Sequence, residues 1–165
     1  MEYDGLTDYA SAGRRRLADA RELLEVPTWQ SLGRDARHRH LRAAVYLAGY
    51  AVECALKARM IDRTPGCRRF GEVLDARPPH RAPTSLAGAG LHSMAALVRV
   101  SDPMGAVDSR PDLKVLIGIC CRWRARDRYA PRHFTSVTDA RVFVDAAERV
   151  ADWVNGRRLA PEDEA

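Results

Sequence analysis

The sequence predicts an all-α protein, a helical bundle of four to five helices, and three observations carry that expectation. Apolar residues recur at helical spacing along most of the chain. The stretch from 34 to 62 is apolar almost all round in its second half, as a helix at the centre of a bundle is. No segment alternates polar and apolar residues for long enough to make a strand.

The first helix is expected over Thr7 to Glu25, with Thr7 as N-cap, a repeat through Tyr9, Ala12, Leu17, Ala20, Leu23 and Leu24, and Pro27 as its stop. Gly33 and Asp35 open the second, RDARHRHLRAAVYLAGYAVECALKARMID, from Arg34 to Asp62. One stripe of it is polar. Arg42, Tyr46, Tyr50, Glu53 and Lys57 follow one another by three or four residues and so share a face, which must be partly wet or turned toward something polar. Glu53 and Lys57 read as a surface i,i+4 pair, worth a few tenths of a kcal/mol. Residues 63 to 88, with Pro65, Pro78, Pro79 and Pro83 and no sustained period, read as a long loop.

A short helix follows from Gly90 to Val100, ended by Asp102 and Pro103. Ser109 and Pro111 signal an N-cap and first turn for a helix over Arg110 to Trp123. The last helix runs from Thr138 to Asn155 on Val142, Phe143, Ala146, Ala147, Val150, Trp153 and Val154, and Gly156 stops it. Beyond it lies an acidic tail, residues 157 to 165, ending in PEDEA.

The bulk numbers bound the function. A chain of 165 residues is one domain long, with 46% hydrophobic and 30% charged residues and no apolar run long enough for a membrane span. MEYDGLTDYASAGRRR begins acidic and has no apolar core, so it does not read as a secretory signal, and the expected location is cytoplasmic. Cys54, Cys67, Cys120 and Cys121 match no metal-site spacing and are expected to be reduced, with neither metal nor cofactor.

The net charge of +5 is concentrated in two arginine clusters, Arg34 to Arg42 and Arg122 to Arg132. Arginine forks suit phosphate, so a polyanionic partner is one reading. The other is compositional bias, since 25 of the 27 basic residues are arginine.

The second cluster overlaps RARDRYAPRHF, residues 124 to 134. Taken together, AAVYLAGYAVECALKARMI, the proline-rich loop, LHSMAALV, W-x4-RYAP and a closing amphipathic helix resemble the HEPN family of prokaryotic helical domains, over residues 34 to 155. The resemblance implies an up-and-down bundle, a single HEPN-like domain over 1 to 156, and a homodimer. It also implies a metal-independent endoribonuclease of toxin or defence systems, acting through an arginine and a histidine with four to six residues between them.

Arg126 and His133 have six residues between them, with Asp127 as the polar follower, and Arg128 is the alternative arginine, with four. Arg124, Arg132, Tyr129 and Glu53 are the implied substrate-binding residues, Glu53 also as a group that orients a motif arginine. Two features depart from the family's pattern. Pro131 holds Ala130 extended, so the pair does not share one unbroken helix, and Phe134 and Thr135 stand where members have a tyrosine.

Cleaving RNA without a metal needs a base for the 2′-OH proton and a cation for the charge growing on the phosphoryl oxygens, the parts histidine and arginine fill. The competing expectation is a non-catalytic module that binds a partner, such as a minimal nucleotidyltransferase, or that binds nucleotide or RNA without cutting it. Among the other polar and aromatic residues, His38 and His40 read as a solvated helix start, His92 as a capping or packing residue, and Trp123 and Trp153 as core.

Overall fold

A computed structural model of the chain describes residues 5–25, 32–76, 92–102, 105–124 and 136–156. These form six helices rather than four to five: α1 (Leu6–Glu25), α2 (Arg34–Asp62), α3 (Phe70–Asp75), α4 (Met94–Ser101), α5 (Pro111–Cys120) and α6 (Val137–Val154). Among the described residues there is no strand, only an isolated bridge between Gly5 and Arg69. None of the described helices is long and apolar enough to cross a membrane.

The all-round apolar pattern of α2 has the expected consequence. Its 29 residues run through the centre, with α1, α3, α4 and α6 packed against it and α5 packed on α6. Leu41, Val45, Val52, Leu56 and Met60 bury their side chains fully, and Ala44, Ala48, Ala51 and Ala55 between them leave room for neighbouring helices to approach. From α6, Phe143, Val144, Ala147 and Val150 enter the same core, each large side chain worth about 1.5–3 kcal/mol of burial. Arg59 ties the far end of α2 to the end of α6, donating from Nη1 to the Val154 carbonyl at 3.0 Å with its guanidinium 4.8 Å from the Trp153 ring centre.

The element boundaries differ from expectation where local caps compete. α1 starts at Leu6, and the Gly5 carbonyl accepts the Tyr9 N–H, so Thr7 lies inside the helix rather than capping it. The supposed loop from 63 to 88 contains α3. The Glu72 carboxylate accepts from the backbone N–H groups of Arg68 and Arg69 at 2.6 and 3.1 Å, while Phe70 and Val73 are buried, and those two devices stabilise a single short helix. Those two hydrogen bonds hold the Glu72 carboxyl below the usual carboxylate range.

α4 begins at Met94, its first turn capped by the Ser93 hydroxyl, which accepts from Ala96. α5 begins at Pro111 after Arg110; Ser109 does not cap it, because its hydroxyl donates back to the Ala106 carbonyl. α6 begins at Val137, with the Ser136 hydroxyl accepting the Asp139 N–H at 3.0 Å. It stops at Gly156, whose φ of 77° is the left-handed conformation that glycine adopts without strain.

Candidate functional site

The polar stripe of α2, which carries the candidate residue Glu53, is where three otherwise separate segments meet. Tyr46 and Tyr50 stack one turn apart, ring centres 6.4 Å and planes 4° from parallel. Trp123, just beyond α5, lies 6.1 Å from Tyr46 and is almost fully buried. Its indole fits only because residue 49 is glycine, as a Cβ there would stand 2.3 Å from the ring. Gly49 and Glu53 are four residues apart and therefore share a face. Trp123 is thus core, as its pattern predicts, and it docks the start of the arginine-rich segment on α2.

One turn further along α2 is a buried ionic group. Glu53 is 1% exposed, and its Oε1 accepts from Lys57 Nζ at 2.7 Å and from His92 Nδ1 at 2.9 Å. The Glu53–Lys57 pair is therefore internal, not the surface pair its spacing implied. Lys57 is held between two aromatic faces, 5.6 Å from the Tyr9 ring centre and 5.0 Å from that of Phe70, so α1, α2 and α3 all converge on one ammonium. Glu53 Oε2 is also buried and accepts no hydrogen bond from the described residues.

His92 differs from its partners. Its side chain is 53% exposed although its Nδ1 is bonded to a buried carboxylate. Since a carboxylate oxygen only accepts, Nδ1 carries the proton of that bond, and Nε2 is the ring position left for other partners. His92 does not cap α4, which Ser93 does; it ties the turn before α4 to α2. Between the two docking points sits Tyr50, whose hydroxyl is pushed up to about 12, mainly by burial and next by the neighbouring Cys54 and Glu53. It remains a neutral hydrogen-bond donor throughout the physiological range. Cys54 is likewise pushed up, to about 11, by burial and then by Glu53, so its thiol is not a nucleophile near neutral pH.

Of the residues the sequence singled out, Glu53 is buried as described and Arg124 is exposed directly after Trp123. Arg126, Asp127, Arg128, Tyr129, Arg132 and His133 lie outside the described residues. His92 is the residue that sequence reasoning undervalued. Its signal was the Glu53–Lys57 pair itself, because ionic groups on an otherwise apolar helix need partners from elsewhere in the fold.

Away from the stripe, α1, α2 and α6 enclose a groove of about 540 Å³ over Gly13, Leu17, Ala51, Ala55 and Ala151. Arg21 on its rim is paired with Asp145 and Glu148, and none of the candidate catalytic or substrate-binding residues lines the groove among the described residues. Among the described residues no three or more His, Cys, Asp or Glu side chains gather as metal ligands would, and all four cysteines are free thiols. Compared with family models, curated proteins and solved structures, the chain matches none.

Proposed function

We propose that the chain is a metal-independent endoribonuclease of toxin or defence type, an up-and-down HEPN-like bundle working as a cytoplasmic homodimer. One observation supports the reading above the others. Trp123, seated on Gly49 and against Tyr46, brings the root of the second arginine cluster to the α2 stripe whose first residue, Arg42, closes the first cluster. In this reading the two arginine clusters hold one polyanionic strand, and their described residues include Arg42 on the stripe and Arg122 and Arg124 on either side of Trp123.

In this reading His133 takes the proton from the ribose 2′-OH while the Arg126 fork, or that of Arg128, holds the charge that grows on the phosphoryl oxygens. The O2′–P bond forms, the P–O5′ bond breaks, and the products are a 2′,3′-cyclic phosphate and a 5′-hydroxyl. Asp127 follows the arginine as its polar neighbour, and Arg124, Tyr129 and Arg132 line the strand's path.

Single-stranded RNA incubated with the wild type, Arg126→Ala and His133→Ala tests this assignment. Cleavage by the wild type and a loss of about 10²- to 10⁴-fold in each variant is the expected result. Equal rates in all three would remove the pair from the mechanism. Binding of RNA without cleavage, or co-purification with a nucleotidyltransferase, would replace the nuclease with the non-catalytic module.

A further inference from the structure

The groove between α1, α2 and α6 is closed at one end by Arg21, which reaches across it to Glu148. At the other end Ala10 and Asn155 also line a second cavity, of about 290 Å³, so the two depressions join there. From Ala10 to Arg21 the α1 wall is about 16 Å long, at about 1.5 Å per residue.

The two parts differ in chemistry. Gly13, Ala51, Ala55 and Ala151 are the buried floor of the longer part, so small residues from three helices leave a slot whose floor has no polar side chain. The charged side chains lining it, Arg14, Arg21, Glu148 and Asp152, are half-buried or exposed and therefore form its rim.

The second cavity is headed by Arg59 and Arg63, one turn apart on α2 and so on one face. Asp62 is the single carboxylate side chain that lines it among the described residues, which leaves a surplus of one positive charge. Arg59 Nε is buried and has no hydrogen-bond partner among those residues. Burial, and next the charge of Arg63, hold the Arg59 guanidinium below its ordinary pKa, and an anion beside the two arginines offsets both effects.

We propose that the joined cavities bind a fatty acid, its carboxylate on Arg59 and Arg63 and its chain over Ala10, Gly13, Ala51 and Ala55. The surplus of one charge matches a monoanion, which a carboxylate is and a phosphate monoester near neutral pH is not. An arginine fork donates to both carboxylate oxygens, and Arg59 Nε is a donor that the described residues leave unused. The apolar floor takes the alkyl chain out of water, and the Arg21 bridge limits its length. An apolar slot with a few polar groups at one end is the usual build of a small-molecule site.

Calorimetric titration of the full chain with dodecanoate, below its micelle-forming concentration, tests the assignment. Dodecanol and acetate each supply one half of the ligand. Dodecanoate is expected to bind about tenfold or more tightly than either. Arg63→Ala, at an exposed position, is expected to weaken dodecanoate by about tenfold and to leave dodecanol unchanged. Ala10→Phe fills the junction of the two cavities and is expected to weaken both alkyl ligands. The exposed position of Arg63 keeps the test readable even where Ala10→Phe fails to fold.

Dodecanoate that does not bind the wild type, or that binds no better than dodecanol or acetate, would overturn the assignment. An unchanged affinity for dodecanoate in either folded variant would do the same. The RNA-cleavage reading uses other residues and stands or falls separately.

Discussion

Glu53 and Lys57 are ordinary residues at an ordinary helical spacing, and what sets them apart is the set of aromatic rings around them. Buried together they satisfy each other, whereas Glu53→Ala leaves the Lys57 ammonium between Tyr9 and Phe70 without its carboxylate. That substitution is expected to cost about 3–5 kcal/mol in a urea titration, and the apolar double variant Glu53→Leu with Lys57→Met to recover most of it. A loss under about 1 kcal/mol for Glu53→Ala would mean that the pair is effectively solvated.

Cys54, beside them, gives a pH dependence of definite sign. Its folded value of about 11 lies above the ordinary 9.0, so the fold favours the neutral thiol. The stability that follows is complete below pH 9.0 and is lost as pH rises from there through about 11. Melting temperatures of the wild type should fall more steeply over that window than those of Cys54→Ala, and parallel curves would contradict the burial. Little of this was legible beforehand. Periodicity identifies residues that share a face, but whether that face is wet depends on α1, α3 and the turn before α4, which are distant in sequence.

α2 was legible almost to the residue, because an unbroken repeat without proline, opened by Gly33 and Asp35, leaves a chain little alternative. α3 was not. Six residues are too few to show a period, and the helix depends on a carboxylate cap at Glu72 and on burial of Phe70 and Val73. The Ser109 cap failed for a related reason, since the serine hydroxyl is satisfied locally by the Ala106 carbonyl three residues back.

At this scale Gly49 is the sharpest test of how Trp123, just beyond α5, is seated on α2. Gly49→Ala would favour the isolated helix slightly, but its Cβ would have to displace the Trp123 indole. Overpacking of this kind costs about 1–3 kcal/mol, and the displaced indole should shift tryptophan emission to the red. A variant as stable as the wild type, with unchanged emission, would mean that Trp123 does not occupy that seat.

At the scale of the molecule, the all-helical class of the described residues was readable from pattern alone, and the helix count among them was missed by the one short helix the pattern could not show. The candidate site divides in the same way. Its arginine and histidine motif was found from residue spacing and family resemblance, and its core residues fall outside the described segments. Among the described residues the fold adds Trp123 seated on Gly49 against Tyr46 and, one turn along α2, His92 bonded to Glu53. The proposed function requires both arginine clusters to serve one polyanion.

End-group analysis of single-stranded RNA treated with the purified wild-type protein in excess EDTA tests this most directly. The account expects cleavage with 2′,3′-cyclic phosphate and 5′-hydroxyl ends. Intact RNA, or cleavage that appears only when a divalent metal is restored, would contradict it.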